Sequence, residues 1–171
     1  MAMAGTFKSL SIFLLNVNVI LFFIVIVISS WAANYGIERA YNEASNLMIP
    51  VNLFPIYFPI GNMTTGFFVT YSLLAGIVGF STSIVGIHNV FRWDPPNLHS
   101  AAASSLATFS LTLLAMGLAC KEINLGWAES NLRALEVTMI LVAGTQLMGT
   151  GSIHYALREV QREKMMAQNT I

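Results

Sequence analysis

SLSIFLLNVNVILFFIVIVISSWAANYGI, residues Ser9–Ile37, contains no charged side chain. Crossing the hydrocarbon core takes roughly 20 mainly apolar residues in a helix, so this stretch is long enough to span a bilayer once. Working outward, three more charge-free intervals appear: Ala44–Phe91, Pro95–Cys120 and Val137–Leu157. The last two hold one span each. Ala44–Phe91 is long enough for two, but Pro50, Pro55 and Pro59 break its first third. Proline removes a backbone donor and turns the preceding residue away from helix. Leu47–Gly61 therefore reads as a non-spanning segment at the interface, followed by one long helix. The expected fold is all-α: a four-transmembrane-helix antiparallel bundle forming a single domain over residues 1–171. The spans fall at about 10–33, 64–90, 98–120 and 132–157, with a proline- and aromatic-rich first outer loop and a tail from about 158.

Composition points the same way. Of 171 residues, 56% are hydrophobic and only 9% charged, and mean hydropathy is +0.68. Soluble domains carry about 25% charged residues, so a soluble enzyme and a disordered tail are excluded. A nucleic-acid binder would need a basic excess, and the formal net charge is zero. The lone cysteine, Cys120, gives no disulfide framework. His88, His99 and His154 lack a carboxylate or thiol at ligand spacing, so no metal is expected. No serine–histidine–acid set, phosphate-cradling glycine loop or HExxH is present, and neither enzymatic activity nor a cofactor is expected.

The first span exceeds a typical signal-peptide core of about 7–15 residues. Ser30–Trp31–Ala32 fits a small-x-small cleavage site, yet an uncleaved anchor keeps the span count even. Orientation follows the Lys/Arg bias near span ends. With the N-terminus inside, Lys8, Arg92, Arg158, Arg162 and Lys164 face the cytoplasm against Arg39, Lys121 and Arg133 outside. Both termini are thus expected in the cytoplasm.

Small residues let membrane helices approach closely. The second helix has Ser72, Gly76, Gly79, Ser83 and Gly86 along one face, the third Ser104, Thr108 and Thr112 with Ala115 and Ala119 beside them, and the fourth Gly144, Thr145 and Gly149. These faces predict close contact among helices two, three and four. The first helix lacks such a seam apart from Asn16 and Asn18, which predicts a place at the bundle edge.

One charged group gathers at the outer neck of the last helical pair. Lys121 and Glu122 end the third helix, and Arg133 and Glu136 begin the fourth. Arg133 and Glu136 are three apart, which places them on one helix face. Glu136 lies about a turn inside the apolar run, where a carboxylate is a functional hypothesis. The alternative is an interfacial ion-pair network capping two helices, its long side chains snorkelling outward. The first loop adds Asn34, Tyr35, Glu38, Arg39, Tyr41 and Glu43. Phe54–Pro55–Ile56–Tyr57–Phe58–Pro59 then reads either as a lid across the outer mouth or as an ordinary aromatic belt segment.

Several runs resemble one plant family. They are Trp31–Ala32–Ala33–Asn34–Tyr35–Gly36–Ile37–Glu38–Arg39, Leu53–Phe54–Pro55–Ile56–Tyr57–Phe58–Pro59–Ile60–Gly61–Asn62 and Thr65–Gly66–Phe67–Phe68. Leu113 through Ile123, with its Cys120–Lys121–Glu122, and Leu132–Arg133–Ala134–Leu135–Glu136 complete them. The chain resembles the AWPM-like (AWPM-nineteen) plasma-membrane proteins induced by abscisic acid and by desiccation or cold. That resemblance implies a four-span plasma-membrane protein in the lipid bilayer and, for some relatives, an abscisic acid importer.

Two functions follow. In the first, the protein takes up abscisic acid or a similar small amphipathic carboxylic acid. Arg133 and Lys121 are the candidate cations for its carboxylate, and Tyr57, Phe58, Phe67 and Phe68 would hold its apolar body. Glu136 would be a proton-coupling carboxylate or the resting partner of Arg133, with Glu122, Asn34 and Tyr35 in the same outer group. Four helices make a small transporter, which leaves open a homo-oligomer with substrate passing at its interface. In the second, the protein is a scaffold that stabilises the plasma membrane under dehydration or cold.

Overall fold

The computed structural model describes residues 2–46, 63–126 and 130–168 of the chain. Four helices account for nearly all of them: α1 Ala2–Asn46, α2 Met63–Arg92, α3 Pro95–Leu125 and α4 Ser130–Gln168. All four are long and apolar enough to cross a membrane. They pack as an antiparallel bundle, and this is a multi-pass membrane protein. The predicted spans fall inside these helices, and each helix runs beyond its apolar core at one or both ends. A helix continues while backbone bonds propagate, whereas charge marks only where the bilayer stops. The segment with Pro50, Pro55 and Pro59, and with it Tyr57 and Phe58, lies outside the described residues.

The helices form a ring in which α1 packs on α2 and α4, and α3 packs on the same two from the other side. Two expectations are corrected here. The first helix is not at the edge, and α2 and α4 face each other diagonally without extensive contact. The small-residue face of α2 is the reason. A β-carbon on Gly76 would meet Ile26 and Val25, one on Gly79 would overlap the Phe22 ring, and one on Gly86 would press on Leu15. Bulky side chains of α1 thus seat over the glycines of α2. The missing seam on the first helix marked the partner that fills a groove.

Lipid-facing positions of α1 carry Phe13, Ile20, Phe23, Val27 and Trp31, all exposed. The inner core near one end comprises Phe22, Val25, Phe68, Ala115, Ala119, Leu135 and Met139, among others. We call this the distal end, where α1 and α3 finish and α2 and α4 begin. At the opposite, proximal end, Leu15, Val90, Leu98, Ile153 and Leu157 form a second cluster. The α2–α3 turn closes that end. Trp93 has a left-handed backbone (φ 56°), and Pro95 and Pro96 open α3 in the first-turn positions proline tolerates. Lys8 of α1 donates to the Phe91 carbonyl at 3.0 Å and lies 5.4 Å from the ring centres of Phe91 and Trp93. The start of α1 therefore sits with this turn.

Candidate functional site

At the distal end, α3 reaches its last turns while α4 starts. Cβ bonds tilt toward a helix's N-terminus, so Glu122 leans down into the bundle and Glu136 leans up toward the same level. Both are buried, at 1% and 4% exposure. They interact electrostatically, and Arg133 also acts on Glu136. From α2, Thr65 donates its hydroxyl to Oε1 of Glu122 at 2.5 Å. Oε2 of Glu122 and Oε1 of Glu136 have no hydrogen-bond partner among the described residues. Three helices thus bring two carboxyl groups and one hydroxyl together in a setting where unsatisfied oxygens cost free energy.

The cations stay outside. Lys121 and Arg133 are exposed next to these buried acids. Arg133 and Glu136 are three residues apart, with about 60° between them: Glu136 is buried and Arg133 exposed, and Arg133 still acts on Glu136. The neck is a layered arrangement, with a cationic surface over an acidic interior.

The other predicted residues scatter. Phe68 is fully buried in the distal core. Its neighbour Phe67 is exposed, with its ring 6.4 Å from that of Tyr71. Asn34 and Tyr35 are exposed, and Tyr35 stacks on Trp31 with ring centres 5.4 Å apart. Tyr57 and Phe58 lie outside the described residues, and the two described members of the predicted aromatic set, Phe67 and Phe68, do not share a surface.

Below the acids, buried polar groups recur along the bundle. Asn18 of α1 donates to Oε1 of Gln146 at 2.7 Å and accepts from Thr145 at 2.6 Å. Gln146 in turn donates to the Ser105 carbonyl of α3 at 3.3 Å. Nearer the proximal end, Ser11 and Ser152 share a hydrogen bond of 2.5 Å, while Thr82 and Thr108 join α2 to α3 at 2.8 Å. Ser72 and Ser83 of α2 are buried with unpartnered hydroxyls. The sequence reading missed Gln146. Its signal was periodic: Leu132, Glu136, Met139, Val142, Gln146, Gly149 and Ile153 advance by threes and fours along one buried face.

The model of the AWPM-19-like family matches residues 16–156, from within α1 to within α4. The chain belongs to the AWPM-19-like family. It is also 35% identical over 156 residues to membrane protein PM19L of Oryza sativa subsp. japonica, covering 91% of this chain and 83% of that protein. No solved structure matches it. The stretch matched by the AWPM-19-like model takes in Thr65, Glu122 and Glu136 as well as Asn18, Ser105 and Gln146.

Proposed function

We propose that this AWPM-19-like protein is a plasma-membrane transporter for abscisic acid or a similar small amphipathic carboxylic acid, with both termini in the cytoplasm. The observation that carries the reading is the set of buried polar groups inside the bundle. They lie at Glu122 and Glu136 beside the exposed Arg133 and Lys121, at Asn18 and Gln146 in mid-bundle, and at Ser11 and Ser152 toward the proximal end, with apolar core between the first two levels. Polar and ionisable groups inside a membrane bundle are expensive and tend to mark pathways for ions or solutes. Arg133 and Lys121 attract the substrate carboxylate at the outer surface, and a proton supplied from beneath lets it enter as a neutral acid.

The competing reading is a scaffold that stabilises the membrane under dehydration. It has its own observation: Phe22 seats against Gly79 and fills the α1–α2 interface, as a purely structural bundle would require. Uptake of labelled abscisic acid into proteoliposomes separates the two. Transport predicts saturable uptake that Arg133→Gln weakens by raising the half-saturating concentration. Uptake no faster than in protein-free vesicles supports the scaffold.

A further inference from the structure

We propose that Glu122 and Glu136 form a proton-binding site that holds one proton between their carboxylates and thereby ties α3 to α4 at the distal end. The acids come from different helices, both are more than nine-tenths buried, and each presents one oxygen without a hydrogen-bond partner among the described residues. A single proton resolves both defects, since a protonated carboxyl donates to the carboxylate opposite. It also removes the cost of placing two negative charges side by side in a low-dielectric interior.

Thr65 sets the asymmetry. Its hydroxyl donates to Oε1 of Glu122 at 2.5 Å, so one Glu122 oxygen is already engaged as an acceptor, and the shared proton is assigned to the Glu136 side. A hard metal cation fits less well. Calcium takes about 6–8 oxygen ligands and magnesium a near-ideal octahedron, and among the described residues no three histidine, cysteine, aspartate or glutamate side chains gather to hold a metal. Among the residues whose side chains are described, the remaining titratable groups at this level are exposed or distant. Arg133, Lys121 and Cys120 are exposed on α4 and α3, Glu38 and Tyr35 are exposed on α1, and Tyr71 of α2 lies almost two turns below Thr65.

The resting protein holds this proton whether or not it carries a substrate. In the transport reading the same proton passes to the substrate carboxylate, leaving two ionised glutamates that a proton from bulk water recharges.

Infrared spectroscopy of the purified full-length protein in nanodiscs tests it. At neutral pH the wild type should show the carbonyl stretch of about one protonated carboxylic acid per chain, titrating away in alkaline buffer. Glu136→Gln should remove the band. Thr65→Val keeps both acids and should shift the band's frequency or its titration midpoint. A wild type with no such band at neutral pH overturns the proposal, and this requires no variant to fold. So does a band that survives Glu136→Gln and Glu122→Gln alike, or a thermal stability that rises with added sodium or calcium in place of protons.

Discussion

The Phe22 ring of α1 occupies the space that a β-carbon on Gly79 of α2 would need, with ring atoms Cζ, Cε1 and Cε2 as its nearest neighbours. Phe22 is fully buried, so the ring has little room to withdraw. Lipid offers no hydrophobic drive for helix association, and close fits of this kind supply it.

Gly79→Ala should therefore lower stability by about 1–3 kcal/mol, the usual range for overpacking. Unfolding in detergent measures it. Phe22→Leu in the same chain should recover part of the loss. Gly117→Ala and Gly144→Ala place a β-carbon where nothing lies within 4 Å, and each should stay within about 0.5 kcal/mol of wild type. Equal losses at all three glycines would contradict the α1–α2 packing.

The span count was legible because charge is excluded from hydrocarbon, so the four charge-free intervals each record one crossing. Helix length was not. Glu38 and Glu43 mark where α1 leaves the apolar layer, but the helix runs on to Asn46. The inward turn of Glu122 was within reach: Thr108, Thr112, Ala115 and Ala119 step by fours and threes, and three more residues arrive at Glu122. Its charge suggested an exposed neck, yet the helical period placed it inside. Which helix fills the glycine face of α2 was beyond the sequence, because a groove and its knob leave no shared local pattern.

The Asn18–Gln146 bond joins α1 and α4 in mid-bundle at 2.7 Å. A double-mutant cycle with Asn18→Leu and Gln146→Leu should give a coupling of about 0.6 kcal/mol, the average for hydrogen bonds between membrane helices, and at most about 1.7 kcal/mol. Additive losses would mean that the two side chains stabilise the bundle independently.

The first turns of α1 and the later part of α4 share the proximal end of the bundle with the α2–α3 turn, as the contacts of Lys8 with Phe91 and of Ser11 with Ser152 require. Tags at either terminus of the protein in intact cells should thus share one fate with external protease, and the proposed cytoplasmic orientation predicts that both are protected. Digestion of only one tag would break the even span count.

If the acid pair holds a proton, the folded state binds more protons than the unfolded chain near neutral pH. Stability then falls as pH rises, with a slope of up to about 1.4 kcal/mol per pH unit over the range where only the folded state keeps that proton. Thermal unfolding across neutral to alkaline buffers reads this slope, and Glu136→Gln should flatten it. A wild type that instead gains stability with rising pH would require both carboxylates to be ionised in the fold.

Counterflow through proteoliposomes tests the transport account most directly, because a neutral carboxylic acid also leaks through lipid and net uptake mixes the two routes. Vesicles preloaded with unlabelled abscisic acid and diluted into a trace of labelled compound should accumulate the label transiently above its equilibrium level. Arg133→Gln combined with Glu136→Gln should abolish that overshoot while leaving a folded protein in the membrane. A monotonic approach to equilibrium by the wild type, matching protein-free vesicles, would contradict transport and leave the scaffold reading.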